Sequence, residues 1–165
     1  MSASSLGFWG VLGRLRHLFS SRDWLTTPDH RPRPRASVFI RHVDAGSCND
    51  GNVELAALWN PQYDAERYGL KLVASPRHAD VLVVTGPLVR SMEQALLSAL
   101  RAMPEPRCVV TIGDDCDEPH AIYRNSYAIV GLPEEILQAR GDDHIPGNPP
   151  TPQAILEHLL TMPTV

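Results

Sequence analysis

Asp80-Val81-Leu82-Val83-Val84-Thr85-Gly86 is the stretch whose reading settles the architecture. Four aliphatic residues in succession leave no polar face, so an extended run of this kind has to be covered on both sides. That is the environment of a central strand in a parallel sheet packed between helices. Gly86-Pro87 then ends the strand.

Cys108-Val109-Val110-Thr111-Ile112-Gly113 repeats the pattern downstream. Between the two runs, residues 91–103 carry Met92, Leu96, Ala99 and Leu100 at helical spacing. Ser91 is the expected N-cap, with Gln94 three positions on, and Pro104 stops the helix. Upstream, residues 37–42 (Ser-Val-Phe-Ile-Arg-His) and 70–74 read as two more strands, and residues 53–59 as a helix halted by Asn60-Pro61. Residues 152–161 close the chain with a helix whose Ile155, Leu156, Leu159 and Leu160 form one apolar face. Residues 113–151 read as loop-rich and poor in apolar periodicity. Alternating strands and helices of these lengths predict a single flavodoxin-like, doubly wound α/β sheet, in which ligands sit beyond the carboxyl ends of the strands.

The 165 residues suffice for one such domain, and 43% apolar against 21% charged residues is ordinary for a globular protein. Three cysteines at irregular spacing argue for a reducing compartment rather than a disulfide framework. The net charge of −4 is unevenly spread: residues 1–41 hold seven arginines against two acidic residues, and residues 42–165 hold eight basic against seventeen acidic ones. A negative body excludes a phosphate-neutralising nucleic-acid interface. No Gly-x-Gly-x-x-Gly and no Gly-Lys-Ser or Gly-Lys-Thr supports nucleotide binding. Cys48 near His42 and Asp44 has the elements of an activated thiol, but that spacing fixes no geometry.

No apolar run in the sequence approaches the roughly 20 residues that span a bilayer. Residues 1–36 are instead expected to form a docking arm. Phe8, Trp9 and Leu12, with Arg14 and Arg16 between apolar neighbours, give a short amphipathic helix for a membrane surface or membrane subunit, and residues 26–35, with three prolines, give an extended linker. The alternative is a helix folded back on its own domain. The globular domain is expected over residues 37–165.

Four further stretches carry a likeness to a known family: residues 46–54 (Gly-Ser-Cys-Asn-Asp-Gly-Asn-Val-Glu), 75–86, Gly113-Asp114-Asp115, and Ile145-Pro146-Gly147-Asn148-Pro149-Pro150. Together they resemble the small subunit of membrane-bound, energy-converting (group 4) nickel-iron hydrogenases and the 20 kDa subunit of respiratory complex I, over about residues 37–160. The resemblance implies one 4Fe-4S cluster held by four cysteines. On this sequence the four ligand positions fall at Cys48, Gly51, Asp115 and Asn148, so a single thiol remains. Thiolates are what hold such clusters; glycine offers no donor and an amide is a poor one. The site is therefore expected to be vestigial, with no cofactor and no catalytic residue.

A second metal reading takes Cys48, Cys116 and His120, with Asp115, Asp117 and His144, as a zinc-like set, though without the Cys-x-x-Cys spacing that would make it strong. Otherwise the acidic run 114–118 is a solvated loop. Cys108, inside a predicted strand, reads as a small core residue.

The resemblance further implies a role as a structural or coupling subunit of a hydrogenase-like or complex I-like oxidoreductase assembly engaged in ion translocation. The implied partners are a large hydrogenase-like subunit, contacted by Glu54 and Arg77, a membrane subunit, and a ferredoxin-like subunit. The implied location is peripheral, on the cytoplasmic face of the inner membrane. The alternative is an electron-transfer subunit that keeps an atypical cluster and reduces quinone or a metal centre.

Overall fold

Strand β1 (Val38–Asp44) leads into helix α1 (Asp50–Ala57), followed by β2 (Leu70–Leu72), β3 (Val81–Thr85), α2 (Glu93–Ala102), β4 (Cys108–Ile112), α3 (Glu134–Arg140), β5 (His144–Ile145) and α4 (Pro152–Thr161). These elements come from a computed structural model that describes residues 37–116, 123 and 125–162. The expected docking helix with Phe8, Trp9, Leu12, Arg14 and Arg16, its linker, and Asp117 and His120 lie outside the described residues.

The strands lie in the order β2-β1-β3-β4-β5 and every pairing is parallel. This is the flavodoxin-like order, with the direction of winding reversing between β1 and β3. All five residues of β3 are buried, as its unbroken aliphatic run requires.

Because successive side chains of a strand point to opposite faces, β3 feeds two cores. Val83, with Ile40, Val110 and Ile112, packs among Leu55 of α1 and Ile155, Leu156 and Leu159 of α4. Leu82 and Val84, with Val43 and Val109, pack among Leu96, Leu97 and Leu100 of α2 and Ile136 of α3. Complete burial of an aliphatic side chain of this size contributes about 1.5–3 kcal/mol. Together these two cores hold the sheet between its helices.

Four sequence readings need correction. β1 runs on to Asp44 because His42, Val43 and Asp44 pair in register with Val83, Val84 and Thr85. α1 begins at Asp50, ahead of the expected Val53, which is 57% exposed and takes no part in the core. α2 begins at Glu93 behind Met92, with no side-chain cap, so Ser91 does not serve as the N-cap. The stretch read as loop-rich contains α3 and β5: the first buries only Ile136, and the second is a two-residue strand maintained by pairing with β4.

Candidate functional site

The chain leaves β1 for a helix on one face of the sheet and β3 for a helix on the other. The loops after these two strands therefore part at the carboxyl rim, at the switch point where such sheets bind ligands. The loop after β1 is shaped by Asp44, whose Oδ1 accepts the backbone N–H groups of Gly46 (2.9 Å) and Ser47 (2.8 Å). Partial burial pulls the Asp44 pKa upward, but those two donors and the Asn52 side chain outweigh it and hold the carboxyl below its usual range.

A polar chain ties this loop to the sheet. Asn52 donates from Nδ2 to Asp44 Oδ2 at 2.7 Å, and the Thr85 hydroxyl donates to Asn52 Oδ1. Having given its one hydrogen to Asn52, Thr85 Oγ1 is left as the acceptor for His42 Nε2, 2.8 Å away. Burial depresses the His42 pKa, which suits a neutral imidazole in this role. His42 and Asp44 are thus engaged with Thr85, Asn52 and the loop backbone. No hydrogen bond joins either of them to Cys48, and the activated-thiol arrangement is not formed.

The loop after β4 closes the rim from the other side. A short turn, Asp114–Cys116, is clasped to the segment after β5: Asp114 N–H donates to Gly147 O at 2.9 Å and Gly147 N–H to Asp114 Oδ1 at 2.7 Å. That segment carries Asn148, which is exposed and precedes a cis proline bond. The clasp presents Asp115 toward the β1 loop. One oxygen or sulfur each from Cys48, Asp50 and Asp115 lie within 4.8 Å of one another. Asp115 is 8% exposed, and its Oδ1 has no hydrogen-bond partner. Asp115, within the acidic run, is therefore not simply solvated. Asp50, whose Oδ1 accepts the Gly51 N–H at 2.7 Å, belongs to the cluster although sequence reasoning did not select it. Its only signal was its place two residues after Cys48.

The other thiols are turned elsewhere. Cys116 Sγ lies 2.9 Å from Gly86 O and 3.2 Å from Ile112 O, bonded into the wall between β3 and β4. Burial, reinforced by the neighbouring Asp115, pushes its pKa up to about 12. Cys108 starts β4 at the opposite end of the sheet, half-buried, with Sγ 3.7 Å from Asp143 Oδ2; burial and that carboxylate push it up to about 11. His144, drawn into the zinc-like set by sequence, has Nδ1 2.9 Å from Thr111 Oγ1. Arg77 precedes β3 at the amino ends of the strands, away from Cys48, whereas Glu54 lies on α1 just behind the rim.

At the four positions where the family resemblance implies thiolates, the structure offers one exposed thiol, a glycine, a buried carboxylate and an exposed amide. Neither remaining cysteine points to make up the deficit. The residues present do not fit a 4Fe-4S cluster. Nor does the fold demand the glycine: a Cβ at Gly51 would lie 3.7 Å from Thr85 Cβ, ordinary contact, and its φ is not in the left-handed region.

Thiol labelling checks this arrangement. Cys48 is exposed, and its pKa is raised by a hydrogen bond to Asp50. Brief maleimide treatment of the native chain at pH 8 is expected to modify Cys48 alone, with Cys108 and Cys116 reacting after denaturation. Modification of Cys116 in the folded protein would contradict its placement.

Comparison with known proteins bears on the family and the fold. The model of the family described as NADH ubiquinone oxidoreductase, 20 kDa subunit, matches residues 48–162. Formate hydrogenlyase subunit 7 of Escherichia coli (strain K12) is 38% identical over 122 residues, covering 74% of this chain and 47% of its own, so the present chain spans about half of that relative. A probable membrane-bound hydrogenase subunit of Pyrococcus furiosus is 39% identical over 120 residues, covering 73% of this chain and 70% of its own. Among solved structures, a chain of the archaeal membrane-bound sulfane sulfur reductase, a respiratory membrane complex, superposes with a TM-score of 0.59 at 24% identity, over 74% of this chain and 66% of that one. That superposition supports the shared fold.

Proposed function

Because this chain belongs to the NADH ubiquinone oxidoreductase 20 kDa subunit family, we propose that it is a cluster-free structural and coupling subunit of a membrane-associated hydrogenase-like or complex I-like assembly. The observation that carries this reading is the donor set at the rim. Cys48 is the one thiol at the positions that resemble cluster ligands, while the sheet, clasp and polar chain that frame the site are fully formed. The shape is kept and the electron carrier is gone.

On this reading the carboxyl rim faces a large hydrogenase-like subunit, with Glu54 close to that contact, and residues 1–36 dock on the membrane arm from the cytoplasmic face. Among the described residues no helix is long and apolar enough to cross a membrane, and on the present reading that arm and the partner subunits supply the attachment. The two relatives named as hydrogenase and formate hydrogenlyase subunits support the choice of assembly. Without a cluster, the subunit transmits a conformational signal between its neighbours rather than electrons.

The test is iron and acid-labile sulfide analysis of the full chain, purified free of other subunits without oxygen and incubated with iron and sulfide. Bound sulfide well below one per chain is expected, with no reduced-cluster signal in low-temperature EPR. A stoichiometric cluster assigned to this chain would overturn the reading in favour of an electron-carrying subunit.

A further inference from the structure

The three ligating groups at the rim have a chemistry of their own. Asp115 is a carboxylate held more than nine-tenths out of water, with Oδ1 lacking any hydrogen-bond donor. A buried polar atom without a partner is rare in folded proteins and costly to keep. Beside it stand a second carboxylate, Asp50, and the Cys48 sulfur, with one ligating atom from each of the three within 4.8 Å of the others. A positive charge placed among them would offset the cost that this arrangement carries without one.

We propose that Cys48, Asp50 and Asp115 bind one mononuclear divalent cation of the zinc class, at the point where the family's cluster would sit. This inference rests on the cluster-free reading above. The donor set selects the ion: a thiolate with two carboxylates suits zinc or a chemically similar borderline ion, whereas magnesium and calcium take oxygen ligands. Metal–ligand bonds of about 2.0–2.3 Å place ligand atoms roughly 3.5 Å apart in a tetrahedral site, so side-chain rotations close the present spacing.

Two features support these ligands from behind. The Gly51 N–H held by Asp50 Oδ1 at 2.7 Å fixes one carboxylate. The clasp between Asp114 and Gly147 fixes the turn that carries the other. Cys48 is exposed, so the fourth coordination position opens outward, to water or to a donor from the subunit that covers the rim. The site is assembled from loops after two strands, and it differs from the zinc-like set suggested by sequence by including Asp50 and excluding Cys116 and His144.

The experiment uses the full chain, stripped with chelator and titrated with cobalt(II), then with zinc in competition. The expected result is one cobalt per chain with a thiolate-to-cobalt charge-transfer absorption that zinc abolishes. Cys48→Ser removes that absorption, Asp50→Asn and Asp115→Asn each weaken binding by roughly tenfold or more, and Cys116→Ala leaves both unchanged. Circular dichroism of each metal-free variant confirms that it folds. No charge-transfer band at saturating cobalt, or binding indifferent to Asp115→Asn in a folded variant, overturns the ion site while leaving the cluster-free reading in place. Stoichiometric labile sulfide overturns both.

Discussion

Gly51→Cys, Asp115→Cys and Asn148→Cys together are expected to give a chain that holds about four irons and four sulfides. The expectation follows from the geometry of the rim. Position 115 already brings a ligating atom within 4.8 Å of Cys48 Sγ and Asp50. Position 51 has ordinary backbone and room for a Cβ against Thr85 and Ile112, so the backbone and Cβ of a cysteine are accommodated there. Position 148 rides on the segment clasped to Asp114. Labile sulfide, iron content and the EPR signal of the reduced protein measure the outcome, with the parent chain and the three single variants as controls. A folded triple variant that still binds no cluster would show that the loops have drifted from a cluster-holding arrangement, and not merely lost their thiols.

Gly86→Ala is expected to destabilise the domain by about 2–5 kcal/mol, the combined scale of a left-handed backbone penalty and overpacking. Gly86 has φ +73°, and a Cβ built on it would overlap the Cα, Cβ and nitrogen of Ser47. Those are backbone and near-backbone atoms held by the Ser47 N–H bond to Asp44 Oδ1 at 2.8 Å, so they cannot swing aside as a long side chain does. The same substitution moves the carbonyl that Cys116 Sγ approaches at 2.9 Å, so both loops of the rim are disturbed at once. Gly51→Ala is the contrasting control. In the first turn of α1 it removes glycine's excess unfolded-state entropy, and a gain of about 0.4–1 kcal/mol is expected. Urea denaturation of the two variants beside the parent separates the cases. A Gly86→Ala protein as stable as the parent would mean that the loops after β1 and β3 are not in close contact.

Both substitutions concern glycines that look alike in sequence, and this marks where sequence reasoning stops. The aliphatic runs around Leu82 and Val109 identified β3 and β4 within a residue, since burial on both faces leaves no place for a polar side chain. The helix Pro152–Thr161 was legible to its ends because Thr151 caps it, accepting the Ala154 N–H, and Pro152 opens it. β5 was invisible, because two residues carry no periodicity and are held extended by their neighbour β4. α3 was missed because seven residues with one buried side chain give no amphipathic signal.

At the site, family likeness identified Cys48, Gly51, Asp115 and Asn148 as the positions that matter, and their residue types led to the expectation of a vestigial site. It did not select Asp50, and the separate zinc-like reading grouped Cys116 with Cys48 although the fold points the Cys116 thiol into the wall beside Gly86. What composition and local pattern decided here is the class of fold and the supply of donors: those follow from hydrophobic runs and residue chemistry, which act over a few neighbouring residues. Which donors meet was decided only by the tertiary structure. Cys48 and Asp115 are brought together by loops after two strands separated in the sheet by β3, and the reversal of winding at β1 and β3 opens the crevice between them. That proximity depends on strand order and backbone clasps between distant segments, which no local pattern encodes.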